Sequence, residues 1–217
     1  KIKSNKIIFK DGEEINSDVT IWTAGVKGEP TAAKLNLPYV RGRIVTNQKL
    51  QVENYPHIFA IGDIAGGLLL AHKASKEARV AIDALYGEAS TIQNVVIPAV
   101  VFTHPEVAWC GLTEEEAKKK GLQVKVAKFP WSALGRAMTL NATDGLTKLI
   151  IEPETERVLG MGIVGPGAGD MISEGVLALE MGATVQDMAD SVHPHPTLGE
   201  SVMEAAEVFF GHSTHLK

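Results

Sequence analysis

The spacing of apolar and polar positions changes several times along the chain, and each change marks an element. Lys6-Ile7-Ile8-Phe9 reads as a short strand, Asp11-Gly12 as a hairpin-type turn and Glu14-Ile15 as the start of the return. Val19-Thr20-Ile21-Trp22-Thr23-Ala24-Gly25 has the continuous apolar character of a buried strand ending on glycine. Arg43-Ile44-Val45 and Leu50-Gln51-Val52 read as a strand pair, and His57-Ile58-Phe59-Ala60-Ile61-Gly62-Asp63 as an apolar strand that stops at Gly-Asp. The period then becomes helical: Ala74, Ala78, Ala81, Ile82 and Leu85 share one face of a helix predicted over 70–86, closed by Gly87.

A polar stretch over 87–95 then separates two parts of the chain. Beyond it the pattern predicts strands over 99–102, 107–111, 124–130, 147–152 and 158–164. Helices are predicted over 113–120, 170–181 and 185–190, with a last one carrying Leu198, Val202, Ala205, Ala206 and Phe209 on its apolar face. Thr113-Glu114-Glu115-Glu116 supplies a capping box for the first of these and Gly121 its end. Antiparallel strands beside helices make the expected class α+β, a sheet covered by helices.

The candidate chemistry gathers at Val192-His193-Pro194-His195-Pro196-Thr197-Leu198-Gly199-Glu200-Ser201. Each proline holds the residue before it extended, so His193 and His195 are expected to project the same way from a stiff rod. A turn after His195 returns Glu200 to hydrogen-bonding range. A carboxylate on one imidazole nitrogen fixes the tautomer and raises the basicity of the other, as general acid–base work requires. Thr197-Leu198-Gly199-Glu200 equally fits a capping box, and a carboxylate has oxygens for both roles. Histidine is also often structural, and the spacing leaves that reading open.

Asp63 stands where a buried strand meets a helix, the place where open α/β sheets bind ligands; its carboxylate suits sugar-like hydroxyls, and an Asx turn or cap explains it equally. Gly165-Pro166-Gly167-Ala168-Gly169-Asp170 imitates a phosphate loop, but its spacing is wrong, Pro166 lacks an N–H and Asp170 repels phosphate. His193, His195, His212 and His215 lack cysteines at zinc-site spacing, so no metal is expected, and the last two read as a frayed tail.

Composition narrows the classes. A chain of 217 residues, 45% hydrophobic and 22% charged, is ordinary globular material. A net charge of −5 without a basic run argues against a nucleic-acid partner. Apolar runs fall far short of the roughly 20 residues that span a bilayer, so no membrane segment is expected. The single cysteine, Cys110, excludes an internal disulfide framework and fits a reducing, cytoplasmic setting; a start at Lys1 inside a strand leaves a removed targeting segment open.

The run His193-Pro194-His195-Pro196-Thr197-Leu198-Gly199-Glu200-Ser201-Val202-Met203-Glu204-Ala205-Ala206-Glu207-Val208-Phe209 resembles the C-terminal signature of the dihydrolipoamide dehydrogenase family, pyridine nucleotide–disulfide oxidoreductases that use FAD and NAD. Ile97-Pro98-Ala99-Val100-Val101-Phe102-Thr103-His104-Pro105-Glu106-Val107-Ala108-Trp109-Cys110-Gly111-Leu112-Thr113 extends the resemblance, as do Phe129-Pro130-Trp131, Gly135-Arg136-Ala137 and Thr147-Lys148-Leu149. It implies that His195 is the acid–base residue serving a dithiol and that Glu200 orients it. It further implies that Gly62 and Asp63 lie along the ribityl chain of FAD, with a backbone contact at Ala71. Gly25 would touch the dinucleotide, although Ala24-Gly25-Val26-Lys27-Gly28-Glu29-Pro30 lacks the family's arginine there and is closer to flavin-dependent NADH dehydrogenases.

The same resemblance divides the chain into 1–25, closing strands of an NAD domain; 26–90, the end of an FAD domain; and 91–217, an interface domain that dimerises. In a homodimer, His195 of one subunit would serve the cysteine pair of the other, and the enzyme would dock on the acyltransferase core of a 2-oxo acid dehydrogenase complex. The redox cysteine pair and both N-terminal dinucleotide fingerprints are missing, so the chain is expected to be the C-terminal portion of a longer flavoprotein, inactive alone. Within the family, mercuric reductase is expected to end in a cysteine pair, and glutathione reductase lacks Glu106-Val107-Ala108. An isolated association module is the reading from another class.

Overall fold

The computed structural model describes residues 34–216 and, before them, the strands β1 (Ile2–Lys3), β2 (Lys6–Ile8) and β3 (Glu14–Asn16). These three form an antiparallel sheet, with Lys6 opposite Asn16 and Ile8 opposite Glu14, as the expected hairpin requires. Gly25 and the expected strand over 19–25 lie outside the described residues.

The next segment differs from the expected strand pairing. Strand β5 (Arg43–Ile44) pairs back onto β4 (Tyr39–Val40), while β6 (Gln51–Val52) pairs with β7 (Tyr55–Phe59). The bridge Thr46–Val52, in which the Glu53 N–H donates to the Val45 carbonyl and the Asn47 N–H to that of Gln51, joins the two ribbons, so the expected pairing is kept over a single bridge. Arg41 and Gly42 both take positive φ, 50° and 87°, so a two-residue turn closes the nearer pairing first. Strand β7 also ends earlier than expected, at Phe59, and a 3₁₀ turn over Gly62–Ile64 follows.

Helix α1 (Ala71–Leu85) forms where the period predicts it, but of the expected face only Ala81 is buried. Lys73, Glu77, Val80 and Ala81 point inward, whereas Ile82 and Leu85 are 52% and 58% exposed. Lys73 and Glu77 neutralise each other at i,i+4, which lets two charged residues replace the expected alanine stripe.

Beyond the irregular stretch after α1 lies a five-stranded antiparallel sheet in the order β10-β11-β12-β9-β8. Its strands are β8 (Ala99–Val101), β9 (Val107–Gly111), β10 (Lys125–Pro130), β11 (Leu146–Ile151) and β12 (Val158–Val164), each within a residue or two of expectation. Helix α2 (Glu114–Lys119) carries the reciprocal Thr113/Glu116 capping box. Short helices α3 (Gly135–Thr139) and α5 (Val185–Ala189) fill connections. The longer α4 (Ala168–Met181) packs on β9 and β12, and α6 (Glu200–Phe210) on β10 and β11.

Alternation along the strands builds the core between sheet and helices. Ala108, Cys110, Phe129, Leu149, Ile151, Met161 and Ile163 meet Ile172, Val202, Ala205 and Ala206. Trp131 anchors one end, its Nε1–H donating to Thr147 Oγ1 at 3.0 Å, and Thr147 Oγ1 lies 2.7 Å from Ser201 Oγ on α6. Gly145 and Gly165 flank the indole so closely that a Cβ would come within 2.3 Å and 2.1 Å of it. The fold is therefore α+β, and among the described residues no helix is long and apolar enough to cross a membrane.

Candidate active site

The histidine-proline segment joins α5 to α6 without pairing to a strand, and its His195–Pro196 peptide is cis. The two imidazoles do not behave as one display, contrary to the rod expected from sequence. His193 is nearly buried, its side chain 11% exposed, with Nε2 2.9 Å from Glu174 Oε1 on α4 and Nδ1 2.7 Å from the Ser191 carbonyl. The His195 side chain is 66% exposed, and its Nδ1 lies 2.8 Å from Glu200 Oε1. Each ring turns to its own carboxylate, and the two carboxylates sit on different helices.

Glu200 opens α6 and is buried, at 5% exposure. Its Oε1 faces His195 at 2.8 Å while Oε2 accepts the Thr197 N–H at 2.7 Å, so one carboxylate makes both hydrogen bonds that the spacing allows. The capping box is only half made. Helix α6 starts after Gly199, which supplies no side-chain cap, and Thr197 Oγ1 is buried without a hydrogen-bond partner. Burial pushes the Glu200 carboxyl up, but the Thr197 N–H, His195 and His215 together outweigh it and hold the group below the usual carboxylate value. An ionised carboxylate only accepts, so Nδ1 of His195 carries the proton in this network, and its Nε2 has no partner among the described residues. That leaves Nε2 facing solvent on a ring steadied on its other side.

His215 was not foreseen as ordered. Instead of fraying, the tail folds back along α6: Ser213 Oγ, the His215 N–H and His215 Nδ1 all meet Glu204, and the Thr214 N–H donates to Glu207 Oε2 at 3.1 Å. Glu204 is fully buried. The His215 ring lies parallel to His195, within 9°, with centroids 6.4 Å apart. The hydrogen bond that His215 donates to Glu204 raises it above the ordinary imidazole value against the effect of burial, with Glu204, Glu200 and Glu207 adding charge attraction. The sequence does carry a signal for this arrangement: Glu204 interrupts the apolar face Val202, Ala205, Ala206, and a carboxylate in a core position needs a partner.

The Gly-Asp segment forms a second locus. Gly62 takes φ +69° and donates its N–H to Glu77 Oε2 at 2.7 Å. Lys73 Nζ pairs with Glu77 Oε1 at 2.8 Å and donates to the Gly66 carbonyl at 2.5 Å. This buried ion pair, which the apolar face read from the sequence did not include, grips the turn from behind. Asp63 remains exposed on that turn, and its side chain caps nothing there. Ala71, the first residue of α1, is exposed too, and Leu70 before it offers no side-chain cap. The exposed Asp63 carboxylate can accept hydroxyl hydrogens, and the start of α1, which has no side-chain cap, leaves N–H donors open to a ligand.

The remaining sequence features are structural. Glu106 Oε2 accepts the Gly169 N–H at 2.9 Å, so a carboxylate already occupies the end of α4 that imitates a phosphate loop. Among the described residues no group of three or more histidine, cysteine, aspartate or glutamate side chains is placed to hold a metal. Cys110 is 1% exposed, and burial pushes its thiol up to about 12 despite a hydrogen bond with the Met161 backbone.

Both parts of the chain resemble known proteins. Residues 97–206 match the dimerisation domain of pyridine nucleotide-disulphide oxidoreductases, and residues 1–78 match the pyridine nucleotide-disulphide oxidoreductase domain. The chain belongs to the pyridine nucleotide-disulphide oxidoreductase family. Among its relatives, dihydrolipoyl dehydrogenase of Bacillus subtilis (strain 168) is 46% identical over 213 residues, covering 94% of this chain and 45% of the relative. That of Halobacterium salinarum is 41% identical over 212 residues, covering 95% and 44%. Of solved structures, the Cu(II) complex of the HOCl-induced flavoprotein disulfide reductase RclA from Escherichia coli superposes with a TM-score of 0.78 at 25% identity, over 95% of this chain and 48% of that one. LpdA from Mycobacterium tuberculosis shares the fold, with a TM-score of 0.81 at 24% identity over 94% and 45%. The chain thus spans about half the length of the curated relatives it matches.

Proposed function

We propose that this chain is the C-terminal portion of an FAD-dependent dihydrolipoamide dehydrogenase, an enzyme that oxidises dihydrolipoamide to lipoamide and reduces NAD. The observation that carries the reading is the buried, ionised Glu200 on Nδ1 of a solvent-exposed His195. His195 Nε2 removes a proton from a substrate thiol, and the resulting thiolate attacks a disulfide that this chain does not contain. Glu200 keeps the ring in the tautomer that accepts this proton and stabilises the imidazolium once it forms.

The flavin, when bound, supplies the two-electron acceptor between disulfide and NAD. Gly62, Asp63 and Ala71 would hold its ribityl chain, a role supported by the exposed carboxylate and the uncapped helix start. Gly25 is the proposed dinucleotide contact. The domain division 1–25, 26–90 and 91–217 belongs to the same reading, supported by the irregular stretch between α1 and β8. So do a homodimer in which His195 crosses to the partner's disulfide and docking on the acyltransferase of a 2-oxo acid dehydrogenase complex. A cytoplasmic location is proposed with them, supported by a lone cysteine used for packing.

The test is an assay of the full-length protein and of this chain alone with dihydrolipoamide and NAD. NADH formation by the full-length protein and none by the chain alone is the expected result. A full-length protein that instead turns over glutathione disulfide or mercuric ion with NADPH contradicts the substrate assignment.

A further inference from the structure

We infer that His215 is a positioning residue for His195: the folded-back tail fixes a second imidazole, paired with buried Glu204, parallel to the first at 6.4 Å and thereby biases its protonation. This rests on the proposed acid–base role of His195. The tail is held at several points, with Ser213 and His215 on Glu204 and Thr214 on Glu207. Glu200 and Glu204 stand one turn apart on α6, so each ring is tethered through its Nδ1 to a carboxylate of the same helix.

The charged groups around His215 are known by element. Helix α6 presents Glu200, Glu204 and Glu207, and the preceding loop presents His195. On the adjacent strand β10, Lys125 sits 4.9 Å over the Phe209 ring. The carboxylates favour a cationic His215, in agreement with its raised proton affinity. A cation beside His195 repels a second charge on that ring, and this coupling is what the substitutions below remove. Two unit charges 6.4 Å apart in a water-like dielectric shift a titration by roughly half a pH unit.

The experiment uses the full-length protein and the pH profile of kcat/KM for dihydrolipoamide. His215→Gln is expected to move the acid limb up by roughly half a pH unit, a shift that high salt suppresses in the wild type by screening the exposed pair. His215→Lys, which keeps the charge, should return the limb toward its original position. A purely structural tail would instead lower the rate at all pH values without moving the limb, and that result overturns the inference. His195→Gln serves as the control: if it retains turnover, the acid–base reading of His195 fails first. If it abolishes turnover while His215→Gln leaves the limb in place, only the role of His215 is lost.

Discussion

Glu200 shows how far single residues were legible. Its spacing allows contact with both His195 and Thr197, and the structure gives one oxygen to each contact. His193 was misplaced because alternation along an extended segment says nothing about Glu174, a partner 19 residues away on another helix. His215 was misread for a similar reason, since its anchor is a core carboxylate met only once the tail has folded back. A raised imidazole contributes stability that is fully present below its ordinary pKa and is lost as pH rises through the higher folded value. Amide protection at Thr214 and His215, corrected for intrinsic exchange, should therefore fall as pH is raised through and above neutrality; protection that does not change would show that the His215 charge does not hold the tail. Cys110 gives a second outcome. With its thiol pushed up to about 12 and 1% exposed, it should resist thiol reagents at mildly alkaline pH until the chain is unfolded. Rapid labelling of the folded chain would contradict its place in the core.

At the scale of elements, the strands of the five-stranded sheet were readable because period-two alternation is imposed by burial on one face. Helix α1 was found, but its inward face was not, since a rule that sends charges outward cannot foresee an ion pair that buries itself. The pairing of β5 with β4 depended on a positive-φ turn at Arg41-Gly42, where arginine gives no conformational signal. The glycine loop before α4 is explained by what presses on it. At Gly165, φ is +154° and a Cβ would stand 2.1 Å from Trp131. Gly165→Ala should destabilise the chain by about 1–3 kcal/mol or more, the range of overpacked cores, as read by denaturant unfolding. An unchanged midpoint would show that the indole can move aside.

For the whole molecule, α4 and α6, which carry Glu174 and Glu200, lie on the five-stranded sheet, whereas the Gly-Asp turn meets α1 and β5. That sheet is covered by α4 and α6 on one face. On the other, Val107, Trp109, Leu112, Leu146, Ile150 and Val164 line an apolar groove, with Trp109 37% exposed. A dimerisation domain with apolar surface left uncovered should self-associate, so sedimentation of this chain at micromolar concentration should show a dimer. A monomer would mean that the other half of the relatives' length is needed for pairing.

The central claim is that His195, steadied by Glu200, handles the proton of a substrate thiol. Rapid-mixing measurement of flavin reduction in the full-length protein carrying His195→Gln tests it most directly. Reduction by dihydrolipoamide should slow by roughly 10²–10⁴-fold, the usual worth of a general base, while reduction by NADH is unaffected. A variant reduced by dihydrolipoamide as fast as the wild type would contradict the account.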